Sequence, residues 1–190
     1  VQEALNTTSV WIEKNQNKLT WAVTIIVVLV VGALALNTYV IKPKAVEASN
    51  ENAKAVAYFM QGDWEKALNG DDAECIGFQA VADEYKCYQA GKLAALYTGV
   101  CYYQMGQFED AAAYLNKFSA DDLTIEPAAL QLLGDAYVQM EDFAKAVKAF
   151  EAAAKSGNEL IAPMSLKKAG LVYLELGDKA AAKKAFETIK

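Results

Sequence analysis

The sequence predicts an all-α protein in which a single transmembrane helix is followed by an α-solenoid of helical hairpins. Two observations predict this class. Residues 19–41 form a run of 23 residues without a charge. The rest of the chain repeats a pattern of glycine, aromatic and alanine residues at intervals of 35 and 36 residues. A length of 190 residues suits one domain with a short anchor.

The apolar run over 19–41 is long enough to cross a bilayer. As a helix it extends roughly 34 Å, against about 30 Å for the hydrocarbon core. Trp21 and Tyr39 lie near its two ends, where aromatic side chains favour the membrane interface, and Lys18 and Lys42 flank it. A cleaved signal peptide is the alternative, but the length of the run favours a retained span. Lysines on both sides leave the orientation undecided by charge.

These features divide the chain into three parts. We predict a juxtamembrane segment over 1–18, a transmembrane helix over 19–41 and a repeat domain over 42–190. The predicted repeat units cover about 48–85, 92–123, 127–157 and 163–190. Pro43 follows the span, and a helix is expected to resume at about Ala45.

Three units of the repeat domain align without internal gaps. Their shared glycine, aromatic and alanine positions are Gly99, Tyr102, Gly106, Phe108 and Ala111; Gly134, Tyr137, Phe143 and Ala146; and Gly170, Tyr173, Gly177 and Ala182. A degenerate unit with Tyr58, Gly62, Trp64 and Ala67 precedes them, followed by an additional helical stretch over 77–85. Each hairpin leaves one apolar face uncovered, so the units are expected to stack.

The glycines have two predicted roles. One glycine in each first helix, such as Gly134, is placed where a Cβ would prevent close approach of the second helix of the hairpin. Another, such as Gly106, ends the first helix and supplies a left-handed turn. Glu141 occupies the turn position of the third unit, and Lys179 replaces the aromatic residue of the fourth.

The composition excludes several kinds of chemistry. The chain has no histidine and no arginine, so it offers no imidazole base or metal ligand and no guanidinium fork for phosphate. A net charge of −6 opposes nucleic-acid binding. No nucleophile–base pair can be built, so we predict no enzyme, no catalytic residue, no cofactor and no metal site. An acidic loop at Asp71, Asp72 and Glu74 lacks the calcium-loop pattern and is interpreted as solvated.

The three cysteines allow one disulfide. Cys75 and Cys87 flank one predicted helix, and Cys87 and Cys101 bracket the next, which separates the members of each pair by about 18 Å. If those helices fold back on each other near Tyr88, Cys75 and Cys101 come opposite each other. The alternative is that Cys101 is a small buried core residue.

The repeat resembles the tetratricopeptide repeat, a helical hairpin of about 34 residues. The resemblance covers roughly 45–190 and implies a groove lined by the first helices. Carried over position by position, the implied partner-binding residues are Val56, Phe59, Val100, Tyr103, Asp135, Val138, Leu171 and Leu174. Such a groove is largely apolar and suits an extended or helical hydrophobic segment. The alternative is that these side chains pack on a neighbouring helix.

The layout of the whole chain resembles a bacterial inner-membrane family, the YfgM type, in its Bacteroidota versions. The residues that carry the resemblance are Trp11–Asn15 before the span, Lys42–Lys44 after it, Asn69–Asp71 with Gly77–Phe78, and Ala169–Tyr173. The family implies a cytoplasmic N-terminus and periplasmic repeats. It also implies association with the SecYEG translocon, a PpiD-type chaperone and exported polypeptides.

The predicted function is therefore a membrane-anchored protein-interaction scaffold, ancillary to the Sec translocon, that assists exported proteins or periplasmic chaperones. The alternative is a structural subunit of a larger cell-envelope assembly for secretion or division.

Overall fold

The structure is a computed structural model that describes residues 2–71, 74–120 and 122–189. The chain divides into two compact units, Val1–Lys44 and Ala45–Lys190. Across the described residues the regular structure is helical without strands, and one isolated bridge joins Asp71 to Cys75. The predicted all-α class is confirmed.

The first unit contains helix α1 (Gln2–Leu36) and a π-helical segment (Asn37–Ile41). The apolar side chains from Trp21 to Ile41 are exposed in it. The hydroxyls of Thr20 and Thr24 each donate to the carbonyl four residues earlier, at 2.8 Å. Neither hydroxyl therefore needs a water molecule as its hydrogen-bond acceptor. By length and composition, this helical region can cross a membrane.

Pro43 does not end the helix as expected. Helix α2 (Lys42–Met60) begins one residue before it, directly after the π-helical segment. The Lys42 N–H bonds to the Asn37 carbonyl, five residues back. A proline has no N–H, and its ring crowds the carbonyl four residues earlier, so a wider turn ahead of it lets the helix continue.

The second unit is built of four helical hairpins and one additional helix. The hairpins pair α2 with α3 (Trp64–Asn69), α5 (Gln89–Gln104) with α6 (Phe108–Leu115), α7 (Ile125–Gln139) with α8 (Phe143–Ala154), and α9 (Ile161–Glu175) with α10 (Lys179–Thr188). The additional helix, α4 (Gly77–Glu84), lies where the sequence predicted an inserted stretch, and ends one residue earlier.

The turns within the hairpins follow the predicted glycines. Gly62, Gly106 and Gly177 have φ between 75° and 76°. Glu141, at the same position of the third hairpin, is held at φ 58°, which is uncommon for a residue with a side chain. Three second helices also begin with an aspartate cap that the sequence analysis did not identify: Asp63, Asp142 and Asp178 accept a bond from the N–H three residues later.

Each of the last three hairpins closes on the glycine of its first helix. A Cβ built on Gly134 would lie 2.4 Å from the Phe150 ring, and one on Gly170 would lie 2.4 Å from the Phe186 ring. A Cβ on Gly99 would lie 2.6 Å from the Leu115 side chain. The two helices approach this closely because no side chain stands between them.

Stacking buries the core between successive hairpins. In one cluster, Ala112 and Leu115 of α6 pack with Leu133 and Ala136 of α7. In the next cluster, Ala146, Val147 and Phe150 of α8 pack with Ala169 and Val172 of α9. A larger cluster at the first hairpin adds Phe78 and Val81 of α4, and there the buried Asn52 of α2 donates to the Ala90 carbonyl of α5 at 2.7 Å.

We predict that Gly134→Ala lowers the free energy of unfolding by about 1–3 kcal/mol, although alanine favours helices. The added methyl would overlap the Phe150 ring, which is only 1% exposed and has nowhere to move. Urea unfolding followed by circular dichroism measures the change. Gly32→Ala, in a helix with open space around the new methyl, is the control. A Gly134→Ala variant as stable as the parent would contradict the prediction.

Candidate functional site

The candidate site is the side of the array on which neighbouring first helices meet. Helices α7 and α9 are joined there by two side-chain bridges. Lys168 donates to both carboxylate oxygens of Asp135, at 2.8 and 2.6 Å, and Gln131 donates to Ser165 at 3.2 Å. The Asp135 and Lys168 side chains are about 70% buried, so water screens their attraction only in part.

Two of the eight predicted groove residues pack into the core of the first hairpin. Val56 and Phe59 both contact the cluster between α2, α4 and α5. The Phe59 ring meets Trp64 and Tyr97 edge to face, with ring centroids 5.1 Å apart in both pairs. Their main contacts are therefore with neighbouring helices, which was the alternative interpretation of the groove.

The central groove residues are half-buried. Tyr103 packs edge to face on Phe108 at 5.4 Å and contacts the core between α6 and α7. Burial and, to a smaller degree, the charge of Asp135 raise the pKa of Tyr103. Val138 contacts the next core cluster, whereas Val100 is half-buried.

Asp135 is not a lone carboxylate in an apolar surface, because Lys168 neutralises it. Lys168 was not among the residues predicted from the sequence. Its signal was available, since Lys168 lies 33 residues after Asp135, about one repeat further, with opposite charge. Leu171 and Leu174 are the most exposed of the eight groove residues, at 50% and 47%.

A second set of polar contacts joins successive hairpins at two places, and its residues were not among those predicted from the sequence. Asn116, the residue directly after α6, donates to the Tyr137 hydroxyl of α7 at 2.9 Å. One repeat later, the Tyr173 hydroxyl of α9 donates to Glu151 of α8 at 2.7 Å. This bond to a carboxylate raises the pKa of Tyr173 to about 12.

The cysteines differ in burial. Cys75 and Cys101 are buried in the same core cluster, and Cys87 is exposed. All three are free thiols in the structure, so the Cys75–Cys101 bond stays a prediction for an oxidised form. Burial raises the pKa of Cys75 and raises that of Cys101 to about 12.

The acidic loop has a local role. The Asp71 carboxylate accepts bonds from the N–H groups of Glu74 and Cys75 and from the Tyr58 hydroxyl. Asp72 lies outside the described residues. Among the residues that the structure does describe, no three histidine, cysteine or carboxylate side chains are placed to hold a metal ion.

Comparison with protein families identifies the repeats. Two models described as tetratricopeptide repeat match the chain, one over residues 132–189 and the other over 93–121. These segments begin inside α5 and α7 and extend through α6 and α10, so the chain carries tetratricopeptide repeats, a class of repeat that implies a protein-interaction scaffold and is typically without enzymatic activity. A search of curated proteins finds no match.

We predict that, in the reduced native protein at pH 8, maleimide modifies Cys87 at least roughly a hundredfold faster than Cys75 or Cys101. Only a thiolate reacts, and with a pKa of about 12 the Cys101 thiol is ionised to the order of 10⁻⁴ at this pH. Intact-mass and peptide mass spectrometry measure the rates. Equal rates at all three cysteines would contradict the buried placement.

Proposed function

We propose that this chain is a membrane-anchored scaffold that holds partner proteins close to a bilayer without chemical catalysis. The observation that carries the proposal is the combination of tetratricopeptide repeats with an apolar helical run whose side chains are exposed from Trp21 to Ile41. Apolar side chains exposed over such a length are costly in water and are stabilised in lipid. An anchor raises the effective concentration of the repeats near any membrane partner.

In this proposal residues 19–41 contact the lipid bilayer of a bacterial inner membrane. The N-terminus lies in the cytoplasm and the repeats lie in the periplasm. The support for this topology is the resemblance to the YfgM type, which runs in order from Trp11–Asn15 through Lys42–Lys44 to Ala169–Tyr173. The partners in this proposal are the SecYEG translocon, a PpiD-type chaperone and exported polypeptides.

The first helices provide the partner surface. Val100 and Tyr103 of α5 and Val138 of α7 supply half-buried apolar area. Burying more of this area against a partner protein would stabilise the complex. The Asp135–Lys168 pair adds no net charge there, so the surface does not repel partners of either sign. An apolar segment of a client, extended or helical, fits this chemistry better than an acidic tail.

We predict that a membrane-impermeant maleimide modifies Cys87 in intact spheroplasts, because Cys87 is exposed and belongs to the repeat unit. An Asn17→Cys variant with Cys87→Ser is the matched control. Its new thiol precedes the span, so it should react only after the membrane is permeabilised. The reverse pattern would place the repeats in the cytoplasm and exclude periplasmic clients.

We predict that Val100→Glu reduces co-purification of the SecYEG translocon at least roughly fivefold, because a charge on the apolar surface must lose water when a partner binds. Leu160→Glu, at an 84% exposed position outside α9, is the matched control and should change nothing. Circular dichroism verifies that both variants keep the helical content of the parent. Affinity purification from gently solubilised membranes measures the complex.

The same purification separates the proposed function from a structural-subunit role. Weak and substoichiometric recovery of translocon subunits, lost in Val100→Glu, supports the scaffold. A fixed stoichiometric complex with other envelope proteins and no translocon subunit would overturn the proposed partners.

A further inference from the structure

In the first and third hairpins, a lysine of the second helix lies over the ring of a tyrosine of the first helix. The Lys66 Nζ is 5.6 Å from the centre of the Tyr58 ring, and the Lys145 Nζ is 5.4 Å from the centre of the Tyr137 ring. In both hairpins the lysine follows the tyrosine by eight residues, so the arrangement belongs to one position of the repeat. The electron-rich face of the ring attracts the ammonium.

The aspartate that caps the second helix holds the same lysine. The Asp63 carboxylate is 3.4 Å from the Lys66 ammonium, and the Asp142 carboxylate is 2.7 Å from the Lys145 ammonium. Each lysine therefore lies between an aromatic face and a carboxylate. In sequence, the aspartate comes five residues after the tyrosine, and the lysine comes three residues after the aspartate.

The fourth hairpin keeps this arrangement without its lysine. Tyr173 and Asp178 have the same spacing, and Asp178 caps α10 by accepting the N–H of Ala181 at 2.9 Å. Ala181 occupies the position of the lysine. In the part of the chain that the structure describes, no lysine lies over the Tyr173 ring and Asp178 forms no ion pair. The second hairpin has neither the aspartate nor the lysine.

A cavity of about 220 Å³ lies beside Tyr173, between the second helices α8 and α10. Two small residues make room for it, since Ala181 and Ala169 stand where the third hairpin has Lys145 and Leu133. Its lining includes Glu151 of α8, Leu166, Ala169 and Tyr173 of α9, and Ala181 and Lys184 of α10. The wall is mostly aliphatic and aromatic, with one carboxylate.

Negative charge is concentrated at this ring. Glu151 accepts the Tyr173 hydroxyl bond at 2.7 Å. That bond, burial, and the charges of Glu151 and Asp178 raise the pKa of Tyr173 to about 12. The first hairpin has the matching carboxylate, because the Tyr58 hydroxyl donates to Asp71, and there the lysine is present.

We propose that the cavity binds a lysine side chain of a partner protein, whose ammonium takes the place that Lys66 and Lys145 occupy in the other hairpins. The methylene groups of that side chain lie along Leu166 and Ala169, and its ammonium meets the Tyr173 ring and the Glu151 carboxylate. The site does not use the surface around Val100. The inference therefore goes beyond the proposed function and does not rest on it.

Lys184 selects a lysine within a polypeptide over a free diamine. Its side chain lines the cavity and carries a positive charge. A lysine in a polypeptide presents neutral amide groups next to its aliphatic stem. A free diamine of similar length presents a second ammonium instead, which Lys184 repels.

The probe is a blocked tripeptide, acetyl-Ala-Lys-Ala-amide, added to the full chain in micelles of a nonionic detergent. Methyl NMR of the chain labelled at its alanine methyl groups reports the site through Ala181 and Ala185, which both line the cavity. We expect saturable shifts with a Kd on the order of millimolar. Acetylation of the lysine ammonium should weaken binding at least roughly tenfold. The diamine 1,5-diaminopentane should bind at least roughly threefold more weakly than the tripeptide.

Two chain variants test the placement. Ala181→Lys restores the chain's own lysine and should weaken tripeptide binding at least roughly tenfold, read at Ala185. Glu151→Gln keeps an acceptor for the Tyr173 hydroxyl but removes the charge, and should weaken binding at least roughly fivefold. Glu159→Gln, which removes one charge at an exposed position outside the cavity, is the matched control and should change nothing. Circular dichroism verifies the helical content of each variant.

Four outcomes would overturn the proposal. The first is tripeptide binding that ignores acetylation or Ala181→Lys, and the second is tighter binding of the diamine, which would make the cavity a small-amine site. The third is binding that appears only in Lys184→Gln, which would show that the chain's own Lys184 fills the cavity. The fourth is no shift in any variant. Val100→Glu should leave tripeptide binding unchanged, so failure here is distinct from failure of the proposed function.

Discussion

The contact between a glycine of each first helix and a large side chain of the second holds the hairpins together. Gly134 with Phe150, Gly170 with Phe186, and Gly99 with Leu115 repeat this contact three times. The glycine costs helix propensity, about 1 kcal/mol against alanine, but it lets an aromatic ring or a leucine lie on the backbone of its neighbour. The spacing of 35 to 36 residues that marks the sequence is the spacing of this contact.

The outer face of each hairpin determines which residues the first helix of the next hairpin needs in order to pack on it. Small residues on the following first helix, such as Ser165 and Ala169 of α9, allow that helix to pack closely on the two helices of the preceding hairpin. A tyrosine then adds a polar contact, to Asn116 in one interface and to Glu151 in the next. Apolar burial supplies most of the stabilisation of the stack. The polar contact adds to it, in an exposed place at Asn116 and a part-buried one at Tyr173.

This architecture explains why the chain suits binding better than chemistry. Between α7 and α9 the polar side chains are paired, Asp135 with Lys168 and Gln131 with Ser165. The thiols of Cys75 and Cys101 lie in a core cluster where burial keeps them protonated. What remains at the surface is apolar area with fixed charges beside it, a combination that recognises other proteins. An anchor of exposed apolar side chains would confine that recognition to the vicinity of a membrane.

Local properties could be predicted from the sequence because each depends on residues close together in the chain or one repeat apart. The apolar run of residues 19–41, the left-handed turns at Gly62, Gly106 and Gly177, and the close-contact glycines follow from hydropathy, backbone sterics and period. Tertiary structure decided which side chains are buried between the stacked hairpins. Phe59 and Tyr103, which were predicted to line a groove, also pack on the aromatic rings of Trp64 and Phe108, and Lys168 and Tyr173 pair with side chains of a neighbouring hairpin. The physical reason is that burial and pairing depend on the distance between helices, and that distance is fixed only when successive hairpins pack together.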